Sequence, residues 1–270
     1  MNRIERKFKE LRQNNEKALV GFITAGDPDV AQSLEIMSAM CAAGLDILEL
    51  GIPFSDPSAD GPAIQRSSAR ALVHQVNLAQ VLEMIRRLRE ETTIPIILFG
   101  YYNPILQYRV DKFCADARTA GADGVLVVDL PPEESAELTN GQREAEFPLI
   151  RLIAPTTPAE RMHSIAESAY GFLYLISKTG VTGSEGLDLQ DIAARTASVN
   201  AVTDLPVCVG FGISTAKDVR SIAAVADGVV IGSAFERLIE ENLNQSNLAG
   251  IVAEQVKDFK QATRQRSKPC

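Results

Sequence analysis

Eight apolar runs of strand length, alternating with amphipathic stretches of helical period, constrain this chain more than any other feature. The runs begin at ALVGFITAG (residue 18), ILELGIPF (47), IPIILFGYY (94), GVLVVDLP (124), PLIRLIAPT (148), GFLYLISKTG (171), PVCVGFGIS (206) and GVVIGSA (228). Between them lie predicted helices such as DVAQSLEIMSAMCAAG, NLAQVLEMIRRLREE, PAERMHSIAESA and TAKDVRSIAAVA, and a last helix carries Leu248, Ile251, Val252, Val256 and Phe259 on one face. Strand followed by helix, repeated, is the pattern of a parallel sheet. Eight repeats predict closure into a (β/α)8 TIM barrel, preceded by an extra amphipathic helix over MNRIERKFKELRQ with Ile4, Phe8 and Leu11 on its apolar side. The rival, an open doubly wound sheet, usually carries a strand followed by G-x-G-x-x-G, and GFGIS lacks the third glycine. Barrels of about 250 residues fold as one unit, so residues 1–270 are expected to be a single domain.

Charge and cysteines narrow the function. The 27 Lys and Arg against 35 Asp and Glu leave a net charge of −8, without the basic footprint that binding nucleic acid requires. No run of about 20 apolar residues spans a membrane, and the amino terminus has no secretory core, so a cytoplasmic protein is expected. Cys41, Cys114, Cys208 and Cys270 show no close pairing and no ligand spacing, which argues against disulfides and a metal site.

Barrels place their chemistry where the carboxyl ends of the strands meet converging loops. One such end, LELGIPFSDPSADGP, puts Glu49 inside an apolar strand. Alternation sets Ile47, Glu49 and Gly51 on one face, either in the barrel mouth or under a helix. A buried carboxyl must find a partner or hold its proton, and an apolar site tunes it for general acid and base work. The plain alternative is a pair with a core cation, for which the strands offer only Arg151 and Lys178. Asp60 follows in a polar turn that Asp56 helps to shape. Three glycine-rich ends, at Thr182 and Gly183, at Gly210 and Gly212, and at Gly232 and Ser233, fit either turn geometry or a phosphate held by backbone amides. Ser233 would also cap the helix AFERLIEEN. Phe22, Tyr101, Tyr174 and Phe211 would line a pocket suited to a flat ring, while His74 and His163 fall on predicted helices away from the strand ends. Together these residues point to proton transfer by carboxylates on a small phosphorylated substrate.

The whole chain, from about residue 3 to 265, resembles the tryptophan synthase alpha subunit family through LELGIPFSDPSADGP, with GFITAGDPD, YYNPIL, DLPPEES, SKTGVTG, GFGIS and IGSA in the family's order. The resemblance implies retro-aldol cleavage of indole-3-glycerol phosphate to indole and glyceraldehyde 3-phosphate. Glu49 would be the acid and base, and Asp60, permanently charged in its wet turn, would hold the indole N–H. Phe22, Tyr174, Thr182 and Phe211 would line the substrate, and Gly183, Gly212, Gly232 and Ser233 would hold its phosphate. SKTGVTGSEGLD is similar to the family's closing lid. The family uses no cofactor in this subunit; its partner, the pyridoxal-phosphate-bearing beta subunit of an alpha2beta2 heterotetramer, would meet Pro53, Asp56, Pro57 and Asn103. Ser58, Phe99 and Gly100 depart from the family's usual residues. Three rivals are a Schiff-base aldolase with Lys178 as nucleophile, another phosphate-binding barrel of aromatic biosynthesis such as an isomerase or a synthase closing the indole ring, which lacks this Glu49 to Asp60 spacing, and a phosphate-binding barrel that regulates a partner without turnover.

Overall fold

Each of the eight apolar runs contributes a strand in the computed structural model, which describes residues 1–139, 146–177, 188–210 and 212–264. The strands are β1 (Ala18–Thr24), β2 (Ile47–Gly51), β3 (Ile96–Gly100), β4 (Gly124–Val127), β5 (Arg151–Ile153), β6 (Leu173–Ile176), β7 (Val207–Gly210) and β8 (Gly228–Ile231). The helices are α1 (Arg3–Gln13), α2 (Val30–Ala42), α3 (Pro62–Val73), α4 (Leu78–Leu88), α5 (Tyr102–Tyr108), α6 (Val110–Ala120), α7 (Ala136–Thr139), α8 (Ala159–Glu167), α9 (Leu189–Asn200), α10 (Ala216–Ala223), α11 (Ser233–Glu241) and α12 (Leu248–Thr263). Several helices are started by their own side chains. Asn2, Asn77 and Thr215 accept from the third amide of their helices, while Glu5, Gln80 and Asp218 reach back to the capping residue.

All strand pairs are parallel, in the order β4-β3-β2-β1-β8-β7-β6-β5. The two ends of that order meet where Val125 N–H donates to Pro148 O at 2.9 Å and Ile150 N–H to Val125 O at 2.7 Å, which closes the ring. The sequence expectation of a barrel with an added amino-terminal helix is therefore met.

Side-chain alternation divides the strands into two cores. Outward residues such as Leu19, Leu48, Leu98 and Val229 pack beneath the helices. Inward residues Val20, Ile47, Ile97, Leu126, Ile150, Phe172 and Val230 fill the barrel, and α1 plugs its lower end with Ile4, Phe8 and Leu11. Phe8 meets Phe172 with ring centroids 5.9 Å apart. One pleat higher, the same strands present Phe22, Glu49, Phe99, Val128, Leu152 and Tyr174. This upper layer is the floor of a cavity, and with Ile47 turned inward the strand period puts Glu49 in it, two residues above.

Candidate active site

The cavity at the carboxyl ends of the strands has a volume of about 360 Å³. Glu49 is fully buried in its floor, opposite Phe22 in the β1–β2 register. Neither carboxyl oxygen has a hydrogen-bond partner among the described residues. Burial without compensation pushes its pKa up to about 8, so the carboxyl is protonated at neutral pH. Of the two core cations the strands offered, Lys178 lies outside the described residues, and strand parity turns Arg151 away from Glu49: it lies between Ile150 and Leu152, hence on the outer face, and its Nη2 donates to Ser135 Oγ at 2.9 Å.

Asp60 reaches the same cavity from the loop between β2 and α3. Here the structure corrects the sequence reading. The turn is not a wet site for a permanently ionised group, because burial raises Asp60 to about 6, against the lowering effect of a hydrogen bond from Tyr101. Tyr101 Oη donates to Asp60 Oδ2 at 3.0 Å and accepts from Ala59 N–H at 2.9 Å. Tyr101 thus stands behind the loop, with its ring 5.2 Å from Phe54, rather than in the cavity wall where the sequence placed it. Asp60 is still mostly anionic at pH 7.

Tyr174 and Phe22 line the cavity with Glu49, and Phe99 meets Phe22 edge to face at 5.0 Å. Gly212, Gly232 and Ser233 also line the cavity, Gly232 close against Phe22. Gly212 has φ +76°, and a Cβ there would meet nothing within 4 Å, so open space stands over its backbone. Ser233 is the first residue of α11 and Gly232 its cap, with no side-chain cap hydrogen bond. The expected capping role of Ser233 is therefore not found; its place at the first turn leaves a hydroxyl and a free amide beside the cavity. Thr182, Gly183, Phe211 and Lys178 lie outside the described residues, as does nearly all of the SKTGVTGSEGLD segment. Sequence reasoning missed Arg237, Ile64 and Ser214, all of which line the cavity. Arg237 could have been found from its spacing, four residues after Ser233 on the same face of the helix.

No group of three or more His, Cys, Asp or Glu among the described residues is arranged to hold a metal ion. None of their helices is long and apolar enough to cross a membrane. The arrangement suits proton transfer: a dry acid and a half-buried anion share one cavity, with the amides at the start of α11 in its lining.

A family model described as tryptophan synthase alpha chain matches residues 8–264. The chain belongs to the tryptophan synthase alpha chain family. It is an enzyme, a lyase of tryptophan biosynthesis. Tryptophan synthase alpha chains of Desulfatibacillum aliphaticivorans and Desulfosudis oleivorans are each 61% identical to it over 264 residues, covering 98% of this chain and 100% of theirs. The crystal structure of tryptophan synthase subunit alpha from Legionella pneumophila superposes with a TM-score of 0.89 at 40% identity, covering 97% of this chain and 98% of that one. A chain of Mycobacterium tuberculosis tryptophan synthase gives 0.89 at 32% identity, covering 98% and 99%.

Of the three residues read as departures from the family's usual pattern, only Phe99 touches the cavity. Ser58 is exposed in the loop, its N–H donating to Asp56 O at 2.8 Å. Gly100 gives room to Ile52, whose Cβ would stand 3.2 Å from an added methyl.

Proposed function

We propose that Glu49 and Asp60 carry the cleavage of indole-3-glycerol phosphate to indole and glyceraldehyde 3-phosphate, the retro-aldol reaction of this family. The observation that carries the proposal is a fully buried Glu49, with both oxygens unpartnered among the described residues, in one cavity with Asp60. Protonated at the start, Glu49 gives its proton to indole C3, which becomes tetrahedral as positive charge spreads to the ring nitrogen. Asp60 accepts the ring N–H and stabilises that charge. Glu49, now a carboxylate, takes the proton of the glycerol hydroxyl next to C3. The bond between that carbon and C3 then breaks, its electron pair restores the aromatic indole, and the hydroxyl carbon leaves as the aldehyde. Glu49 ends protonated, so the cycle closes without a co-reactant. Phe22, Phe99 and Tyr174 sandwich the indole, while Thr182, Gly183, Phe211, Gly212, Gly232 and Ser233 complete the substrate and phosphate contacts.

The experiment is indole release from indole-3-glycerol phosphate. Glu49→Gln should abolish it while phosphate-ligand binding persists, and Asp60→Asn should lose about a hundredfold or more, the scale of a positioned acid or base. Normal turnover in either variant would overturn the assignment.

Membership of the family implies partnership with a tryptophan synthase beta subunit. We assign that contact to the exposed turn at Asp56 and Pro57 with Asn103 on α5, above the buried Pro53, in an alpha2beta2 assembly. The beta subunit would bring pyridoxal phosphate and receive the indole, and no cofactor is assigned to this chain. A rise in indole release on adding beta subunit, lost when Asp56 and Asn103 are both replaced by Ala, would support this face.

A further inference from the structure

The cavity lining holds a cation that the phosphate reading above does not use. Arg237 lies on α11, four residues after Ser233, and lines the cavity with Gly232, Ser233 and Ser214. Side chains on a helix lean toward its amino terminus, so a residue in the second turn covers the first. That lean, with both residues in the cavity lining, sets Arg237 on the side of α11 that carries Ser233.

The neighbouring arginines are already engaged. Arg66 Nε and Nη2 each stand 2.7 Å from Glu240, one on each carboxylate oxygen. Arg70 grips Asp27 at 2.7 and 2.8 Å and reaches Glu240 at 2.9 Å. Glu236, the residue before Arg237, points the other way into the core, where it accepts from Thr24 N–H at 2.6 Å. These contacts consume the acids on the first two turns of α11 without touching Arg237. Among the described residues, Arg237 makes no ion pair and no side-chain hydrogen bond. It is also the only Lys or Arg among the described residues that line the cavity. The cavity's other ionised side chain is Asp60, in a chain of net charge −8, which repels a phosphate dianion. Amide donors and a helix dipole supply partial charge only. A guanidinium supplies a full charge and a planar fork that matches phosphate oxygens.

We propose that Arg237 is the side-chain partner of the substrate's phosphate and the residue that makes the site select phosphorylated over unphosphorylated indole glycerol. The identity of the organic part of that substrate rests on the lyase reading; the anion site does not.

Two measurements test it. Inorganic phosphate, titrated as a thermal stabiliser, should bind about ten- to a hundredfold more weakly to Arg237→Met, the range for losing a hydrogen bond to a charged group. Met keeps the stem's packing, and Arg237→Lys, which keeps the charge but not the fork, should recover part of the affinity. In the cleavage assay, the ratio of kcat/KM for indole-3-glycerol phosphate to that for indole-3-glycerol should fall by a similar factor in Arg237→Met. Phosphate affinity within twofold of the parent chain, or an equal loss on both substrates, would overturn the proposal. If the parent chain cleaved neither compound, the lyase reading would fail while the phosphate titration still decided the role of Arg237.

Discussion

Two carboxyl groups in one cavity ionise differently because different neighbours surround them. Glu49 is fully buried with no hydrogen-bond donor among the described residues and sits at about 8, whereas Asp60, with a donor in Tyr101, sits at about 6. The reaction begins with Glu49 protonated and Asp60 ionised, so kcat/KM should fall about tenfold per pH unit once pH passes Glu49's value. That limb should appear near pH 8 in initial-rate assays of indole release. Tyr101 gives a sharper prediction. Its hydroxyl lowers Asp60, so Tyr101→Phe should move Asp60 upward, leave less of it anionic at neutral pH and shift the acidic limb to higher pH. A pH profile measured on that variant checks the direction, and an unchanged acidic limb would deny Tyr101 any hold on Asp60. The sequence showed Tyr101 as an aromatic near a strand end, which suggested a wall. Its actual use depends on a loop-to-helix hydrogen bond across 41 residues, which no local pattern reveals.

At the level of strands and helices, the apolar runs were legible because strands covered on both faces carry unbroken apolar sequence. Glu49's side was half legible: alternation grouped it with Ile47, but only the closed barrel tells which face is inside. The glycines were harder, since one residue type serves two ends. Gly210 was read as part of a phosphate loop, yet an added Cβ there would stand 2.2 Å from Tyr174 Oη, and one at Gly51 would stand 2.6 Å from Phe22 Cζ. These glycines make room for the aromatics of the cavity rather than for an anion. Gly210→Ala should therefore push Tyr174 toward Glu49, reduce stability by about 1–3 kcal/mol through overpacking, and raise KM. Urea unfolding and initial-rate kinetics would read the two effects. An active variant of unchanged KM would mean that Tyr174 has another place to go. Arg237 stayed hidden for the opposite reason, because a charge on an amphipathic helix is ordinarily a solvent-facing one.

Across the whole molecule, the same burial that prepares the site lowers stability as the solution becomes alkaline. Glu49 and Glu236 are both fully buried and both pushed up to about 8, Glu236 by burial and by the nearby charge of Asp27. In an unfolded chain a glutamate releases its proton near about 4.3. Between those values the folded chain binds more protons than the unfolded one, so stability must fall as pH rises. The slope is about 1.4 kcal/mol per pH unit for each group, and it ends above their folded values. Asp27 and Asp46, also raised by burial, add to the slope with the same sign. Opposing contacts hold the fold together meanwhile: Lys260 ties α12 to Glu16 and Asp46 at 2.8 Å each, joining the two ends of the chain beneath the barrel. Glu49→Gln cannot ionise, so it should lose Glu49's share of the slope and exceed the parent chain in stability at pH 8, while it no longer cleaves substrate. Urea unfolding followed by circular dichroism from pH 5 to pH 9 would show parallel curves for parent and variant if Glu49 were ionised throughout, and curves that diverge with pH if its proton is held by burial.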